Sequence, residues 1–181
     1  MDEREILETK RMFARKMVPE DVHNLQKIFS DSQAMQFFQG TKNQMETWEW
    51  INMVLKSYEK HGFGLWIWDL KKTAEFFGYC GFIFQEDVDG KDEIEIAYSF
   101  VRKCWNNGFA TEAAVACRDY GFNQFGITRF ISLVEAKNVA SQRVAEKNCM
   151  KVEKKIQRWD KEFCLYAVDI MDVYRFATIC T

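Results

Sequence analysis

Apolar and polar residues alternate along this chain in two periods, one typical of strands and one typical of amphipathic helices. From the N-terminus the pattern predicts a strand, two helices, three strands, a helix, a strand, a helix and a last strand. The six predicted strands lie near residues 10–17, 63–70, 76–85, 93–101, 130–134 and 163–170. The predicted helices begin near Pro19, at Thr41 or Asn43, after Gly108 and at Asn138. This succession predicts a mixed α/β fold in which helices surround one sheet.

Local signals mark both ends of the second predicted helix. Thr41 with Gln44, and Asn43 with Glu46, each have the spacing of a capping box, so either pair can start the helix. Gly62 is placed to end it in the left-handed conformation.

Length and composition predict a single domain over residues 1–181. The chain has 181 residues, of which 48% are hydrophobic. That is enough for one core, and a second full core would be unusual at this size. One proline and no low-complexity segment leave no sign of an interdomain linker.

The charges argue against two classes of partner. The 25 Lys and Arg residues against 27 Asp and Glu give a formal net charge of −2, so no basic field favours nucleic acid or an anionic membrane surface. No apolar run approaches the roughly 20 residues of a membrane span, and the N-terminal segment MDEREILE is acidic. We therefore expect a cytoplasmic protein.

Neither the cysteines nor the most acidic loop predicts a metal site. The six cysteines are scattered, without a C-x-x-C pair or a neighbouring histidine cluster, which indicates reduced thiols. In the loop QEDVDGKDEIE, Asp87, Asp89 and Gly90 fit the calcium-binding EF-hand pattern, but Gln85 and Ile96 stand where the first ligand and the bidentate glutamate belong. An Asp-Gly turn between two antiparallel strands explains this loop better.

The segment VRKCWNNGFATEAA, residues 101–114, predicts a site for phosphate groups. It places a glycine turn directly after an alternating strand and directly before an alanine-rich helix. The first N–H groups of such a helix have no intrahelical acceptor and point outward with the positive end of the helix dipole. A diphosphate can therefore bind there on backbone groups, with Gly108 allowing close approach and Ala110 keeping the first turn uncrowded.

The hexapeptide WNNGFA, residues 105–110, resembles the phosphate loop of the Gcn5-related N-acetyltransferases, although Trp105 and Asn106 stand where many members have other residues. The continuation ATEAA is typical of the branch that acetylates ribosomal protein N-termini. Four further blocks resemble the family in the expected order: LETKRMFARKMVPED (7–21), GFGLWIWDL (62–70), EIEIAYSF (93–100) and NVASQRVAEKNCM (138–150). The resemblance extends over residues 7–170 and leaves 171–181 as a C-terminal tail.

The resemblance implies a three-layer αβα acyl-coenzyme A N-acyltransferase fold, with a largely antiparallel sheet whose strands splay at the cofactor. It implies acetyl-coenzyme A as cosubstrate, an amine acceptor, and no metal. Main-chain groups at the end of the strand before the loop would bind the pantetheine arm. The residues it assigns to the cofactor are Phe100, Val101, Trp105, Asn106, Asn107, Gly108, Phe109, Ala110, Thr111, Asn138 and Ser141.

The family chemistry is direct attack of a primary amine on the acetyl thioester. By resemblance Glu95 is the candidate base, and strand alternation places Glu93 on the same face as a rival. Ser141 is the candidate to protonate the leaving thiolate, since Ala145 occupies the place of a tyrosine that many members carry. An α-amine with a pKa near 8 needs a weaker base than a lysine amine with a pKa near 10.4.

The sequence leaves the acceptor and the kind of activity open. A noncatalytic acyl-coenzyme A sensor or regulatory module is an alternative to an enzyme, and a peptide N-terminus, an aminoglycoside, a polyamine and an amino-acid analogue all remain as acceptors. Acceptor selectivity is expected in residues 31–50, where Trp48 and Trp50, with Tyr58 beyond, either wall the cleft or pack in the core. Cys149 replaces the family's helix-ending glycine, and a homodimer is expected.

Overall fold

The structure, a computed structural model, describes residues 5–173. Eight strands are present: β1 (Glu5–Glu8), β2 (Met12–Arg15), β3 (Leu65–Leu70), β4 (Phe76–Gln85), β5 (Glu93–Phe100), β6 (Arg129–Glu135), β7 (Lys151–Arg158) and β8 (Lys161–Asp169). The α-helices are α1 (Val22–Phe29), α2 (Gln44–His61), α3 (Phe109–Gln124) and α4 (Val139–Lys147). Short 3₁₀ turns, Pro19–Asp21 and Arg102–Cys104, precede α1 and follow β5.

One sheet contains all eight strands, in the order β1-β2-β3-β4-β5-β6-β8-β7. Every neighbouring pair is antiparallel except β5 and β6, which are parallel. β5 and β6 pair at one position, Glu95 with Ile131, whereas β4 and β5 pair along the whole of β5. The sheet therefore opens between β5 and β6 beyond Glu95, which is the splay that the family resemblance implies.

Helices cover the sheet on both faces. On one face, the rings of Phe29 in α1 and Trp50 in α2 contact Tyr79 of β4. On the other face, the thiol of Cys117 in α3 meets Cys80 of β4, and α4 lies against α3 and β6. This arrangement confirms the predicted three-layer mixed α/β class, with the main core between the sheet and its helices.

The second helix begins at the later of its two predicted starts. The side chain of Asn43 accepts a hydrogen bond from the Glu46 N–H at 3.0 Å, and the Glu46 carboxylate accepts one from the Asn43 N–H at 2.7 Å. Gly62 ends the helix with a φ of 76°, as its position predicts.

Two strands were missed by the sequence pattern. β7 is an edge strand in which nearly every side chain is exposed. Its sequence KVEKKIQR therefore lacks the regular alternation of apolar and polar residues that marks a half-buried strand. At the other edge, β1 has four residues and pairs back onto β2, with Thr9 N–H bonding the Met12 carbonyl at the turn. The first predicted strand, 10–17, is accordingly shortened to Met12–Arg15.

The acidic loop after β4 is a connection, as its Asp-Gly motif predicts. Asp87, Asp89 and Gly90 adopt positive φ angles of 48°, 53° and 86°, and β4 and β5 pair antiparallel on either side. Within residues 5–173, no group of histidine, cysteine and acidic side chains is arranged to hold a metal ion. No helix in the same range combines the length and apolar character needed to cross a membrane. Most of the predicted tail, residues 174–181, lies outside the described residues.

Candidate active site

A cavity of about 380 Å³ opens at the splay between β5 and β6. Four segments line it: the connection between α1 and α2, the end of β5, the glycine loop with the start of α3, and one side of α4 from its cap to its last residue. These segments are distant in sequence, so the cavity exists only because the sheet brings the end of β5 beside α4.

The glycine loop presents main-chain N–H groups to this cavity. Gly108 has a φ of 77° and Asn106 a φ of 60°, so two left-handed residues turn the chain into α3. The first hydrogen bond of the helix joins Glu112 N–H to the Gly108 carbonyl at 3.0 Å, which leaves the N–H groups of Phe109 to Thr111 outside the helical ladder. Residues 108–111 all line the cavity, as a phosphate cradle requires.

Arg11, which precedes β2, supports this loop from outside the cavity. Its Nη1 donates to the Asn107 carbonyl at 2.8 Å, and its Nε donates to Glu112 Oε2 at 2.6 Å. Its main-chain N–H donates to the other oxygen of Glu112 at 3.0 Å, and its guanidinium lies 4.0 Å from the centre of the Phe109 ring. Partial burial acts to raise the pKa of Glu112, but hydrogen bonds from Thr9 and Arg11 outweigh this and lower that pKa. Arg11 thus ties the loop at Asn107 to the first turn of α3 at Glu112.

Arg11→Gln is therefore expected to raise the Michaelis constant for the phosphate-bearing substrate about 3- to 10-fold with little change in kcat, because the loop loses its support. Steady-state kinetics measures both constants. Lys10→Gln removes the same charge from the adjacent exposed position and is the matched control. Equal effects of the two variants would show that Arg11 acts only through general charge.

Main-chain groups of β5 also face the opening. Val101 N–H donates to the Phe77 carbonyl on β4 at 2.9 Å. In an antiparallel ladder, main-chain groups of successive residues point to opposite sides of the strand, so those of the even-numbered residues of β5 point toward β6. In agreement, the Ile96 carbonyl accepts from Ser132 Oγ at 2.8 Å, and the Phe100 carbonyl accepts from Trp105 Nε1 at 2.8 Å. The main chain of Tyr98, which lies between them, therefore points into the splay.

Ser141 and Tyr98 meet at the end of this opening. Asn138 caps α4, since its Oδ1 accepts from the Ser141 N–H at 3.1 Å. The Tyr98 hydroxyl lies 3.1 Å from Ser141 Oγ and 3.2 Å from the Ser141 carbonyl. Burial raises the pKa of the Tyr98 phenol, so it keeps its proton at neutral pH and can donate a hydrogen bond. The pair can stabilise developing negative charge.

Glu95 does not line this cavity. It is 8% exposed and lies at the last paired position of β5 and β6. Its Oε1 accepts from the Leu133 N–H at 3.0 Å, and its Oε2 accepts from Gln85 Nε2 at 2.6 Å. Burial raises the pKa of this carboxyl, although these hydrogen bonds and the nearby Arg158 charge act to lower it. Both oxygens are engaged in joining strands.

The chain matches a known family along most of its length. A family model described as "Acetyltransferase (GNAT) domain" matches residues 11–151. The chain belongs to the GNAT acetyltransferase family. The uncharacterized Bacillus subtilis protein YkkB is 40% identical over 139 residues, which cover 77% of this chain and 80% of YkkB.

Solved structures agree with this GNAT assignment. A GNAT-family acetyltransferase from Bacillus anthracis is 25% identical with a TM-score of 0.77, covering 90% of this chain and 97% of that one. RimL, a ribosomal L7/L12 α-N-protein acetyltransferase in complex with coenzyme A, is 17% identical with a TM-score of 0.77, covering 92% and 98%. The likeness to RimL is one of fold alone. The protein is an acetyltransferase.

The GNAT cavity brings together nine of the twelve predicted site residues. They are Phe100, Trp105, Asn106, Gly108, Phe109, Ala110, Thr111, Asn138 and Ser141. Val101 is outside because it is buried and pairs with β4, and Asn107 is outside because its carbonyl accepts from Arg11. Glu95 is outside for the reason given above, so the structure does not place the predicted base beside the predicted acid. Its rival Glu93 is paired with Arg129 at 3.2 Å.

Tyr98 is the site residue that sequence reasoning missed. The family's usual helix tyrosine is Ala145 here, which is buried, but β5 supplies a phenol to Ser141 from the opposite side of the opening. Strand alternation already put Tyr98 and Phe100 on one face, and this was the available signal. Cys149, which stands where the family has a glycine, has a φ of 62° and so takes the left-handed conformation after α4.

Neither Cys104 nor the aromatic residues of α2 have the placement or acidity that the chemistry of the site would require. Cys104 lines the cavity, but burial raises the pKa of its thiol to about 11, which argues against a nucleophile at neutral pH. Of the aromatic group in α2, Trp50 packs on Phe29 and the Tyr58 hydroxyl bonds the Leu65 carbonyl. These are core positions, and Trp48 is exposed without lining the cavity.

Proposed function

We propose that this enzyme transfers the acetyl group of acetyl-coenzyme A to a primary amine, and that the acceptor is an α-amine such as a peptide N-terminus. The observation that supports this most is that the glycine loop, the open edge of β5 and the Ser141–Tyr98 pair line one and the same cavity. The loop N–H groups suit phosphate groups, and the Ser141–Tyr98 pair suits a leaving group.

The cavity fits the donor by its chemistry. The N–H groups of residues 109–111 suit a diphosphate, and Arg143 and Lys147 add two cationic side chains to the lining. The outward main chain of Tyr98 suits the amide groups of a pantetheine arm. Bound there, acetyl-coenzyme A would supply an activated thioester, and the chain's own residues would orient it and exclude water.

Ser141 and Tyr98 are proposed to assist the departing thiolate. A thiol has a pKa near 8.5, so its anion is a weak base and a hydrogen-bond donor suffices in place of a strong acid. Because the Tyr98 phenol stays protonated, the pair retains a proton to donate at neutral pH.

The absence of a nearby base favours an α-amine. No aspartate or glutamate of residues 5–173 lines the cavity. At pH 7, deprotonating an amine with a pKa near 8 costs about 1 kcal/mol, against about 4 to 5 kcal/mol for a lysine side chain. An α-amine can therefore react without a carboxylate, and we do not assign Glu95 as the base.

Release of free thiol from acetyl-coenzyme A in the presence of amines tests this function, together with mass spectrometry of the acceptor. The expected result is acetylation that depends on the amine. Tight binding of coenzyme A without acetylation of any amine in a broad panel would instead favour the noncatalytic sensor.

Ser141→Ala is expected to lower kcat at least tenfold while the dissociation constant for coenzyme A changes less than threefold, because the serine acts on the leaving group. Tyr98→Phe removes only the phenol oxygen, so its kcat shows how much the action of Ser141 depends on the hydrogen bond with Tyr98. Steady-state kinetics and calorimetry measure the two constants. Unchanged turnover in Ser141→Ala would remove the serine from the proposed mechanism.

Two further expectations belong to the proposal. Action in the cytoplasm is supported by the five described cysteines, all of which are free thiols. The homodimer implied by the family resemblance stays a prediction that sedimentation of the purified protein can test.

A further inference from the structure

We infer that the preferred acceptor carries no positive charge beyond its reacting amine, an inference that rests on the proposed acetyl transfer. Among the acceptors left open by the sequence, this disfavours polyamines and aminoglycosides. It favours single amines on uncharged molecules, including peptide N-termini followed by neutral residues.

The charges that line the cavity have one sign. Its charged lining residues are Arg143 and Lys147, and no carboxylate from the described part of the chain accompanies them. With acetyl-coenzyme A bound, its phosphates would be paired with Arg143 and Lys147. No side-chain carboxylate of the described residues lines the cavity to pair with a second ammonium group on the acceptor. Burying an unpaired charge is strongly unfavourable, whereas a neutral group at the same position has no such cost.

Neighbouring acidic residues are already engaged. Those within two positions of a lining residue are Asp31, Glu112 and Glu146. Asp31 forms an ion pair with Arg102, and Glu112 forms one with Arg11. Glu146 interacts with the hydroxyl of Tyr166 on β8. Each of the three already has a partner, so none is free to attract a cationic acceptor.

The wall that remains for the acceptor is neutral. Gln33, Gln36, Phe37 and Phe38, in the connection between α1 and α2, contribute amide and aromatic groups to the cavity. Arg102 fixes this wall, since its Nη1 donates to Gln33 Oε1 at 2.5 Å while its Nε bonds Asp31. The second oxygen of Asp31 accepts from Gln33 N–H at 3.0 Å. Amide oxygens and ring faces can contact an ammonium group, but they carry no negative charge that would neutralise it as a carboxylate does.

Hexylamine and 1,6-diaminohexane provide a matched test, because they differ by one terminal ammonium group. A second pair consists of peptide amides of equal length with either alanine or lysine after an N-terminal serine. With saturating acetyl-coenzyme A, thiol release is expected to give at least a tenfold higher kcat/KM for the less charged member of each pair.

Gln36→Glu adds the missing carboxylate at an exposed lining position and should reduce this preference at least threefold. Gln124→Glu makes the same change at an exposed site near the end of α3 and should leave the preference unaltered. Equal or faster reaction of the dicationic acceptors overturns the inference while the acetyltransferase function stands. An unaltered preference in Gln36→Glu likewise overturns the inference and leaves the function standing. If no amine is acetylated although coenzyme A binds, the proposed function itself fails and the inference fails with it.

Discussion

Gly108→Ala is expected to raise the dissociation constant for coenzyme A about 30-fold. Gly108 has a φ of 77°, where a Cβ strains the backbone by roughly 1 to 2 kcal/mol. Relaxing that strain turns the N–H groups of residues 109–111 away from the diphosphate. Losing one charge-assisted hydrogen bond of about 2 kcal/mol corresponds to this change in affinity. Isothermal titration of the purified variant measures it.

Gly126→Ala is the matched control for this prediction. Gly126 also has a left-handed φ, 63°, and no atom within 4 Å of an added Cβ, but it follows the far end of α3. Both substitutions should lower the free energy of unfolding by similar amounts, and only Gly108→Ala should weaken coenzyme A binding. If both variants bind coenzyme A like the parent protein, the loop is not the phosphate cradle.

Glu95→Ala is expected to lower the free energy of unfolding by about 2 to 3 kcal/mol. The substitution leaves the half-buried Leu133 N–H and Gln85 amide without their acceptor where β5 and β6 pair. An unsatisfied buried donor costs about 1 to 3 kcal/mol. Glu95→Gln keeps one acceptor oxygen, so it should cost about 1 kcal/mol. Denaturant titration measures both variants.

The same variants separate a strand-joining role from a catalytic one. Glu49→Ala on the exposed face of α2 is the control for loss of a carboxylate and should change stability little. If Glu95 joins strands, Glu95→Gln keeps most of its turnover. If turnover instead falls by about two orders of magnitude or more while stability is nearly unchanged, Glu95 is the base that the family resemblance implies.

Glu95 should also make stability depend on pH. Because burial raises its pKa above the unfolded value near 4.3, the folded protein holds this proton more tightly than the unfolded chain. Its contribution to the free energy of unfolding is complete below the unfolded pKa and is lost as pH rises through the folded pKa. The stability difference between the parent protein and Glu95→Gln should therefore shrink over that range.

The sequence by itself determined the features that depend on neighbouring residues. A capping-box start of α2 within two positions, the left-handed Gly62 and the Asn138 cap each depend on hydrogen bonds within a few positions. Buried strands and helices have a one-sided pattern, so their order was predictable. The edge strand β7 has no buried face, so its pattern held no signal.

The tertiary structure alone decided which distant residues meet at the site. Tyr98 contacts Ser141 across 43 positions, and Arg11 reaches Glu112 across 101. The position of Glu95 depends on where β5 and β6 stop pairing, which brings it to Leu133 and away from the cavity. Alternation along a strand gives the face of a side chain, but the register between strands sets its partner. That register depends on how the whole sheet packs, and a local stretch of sequence does not contain this information.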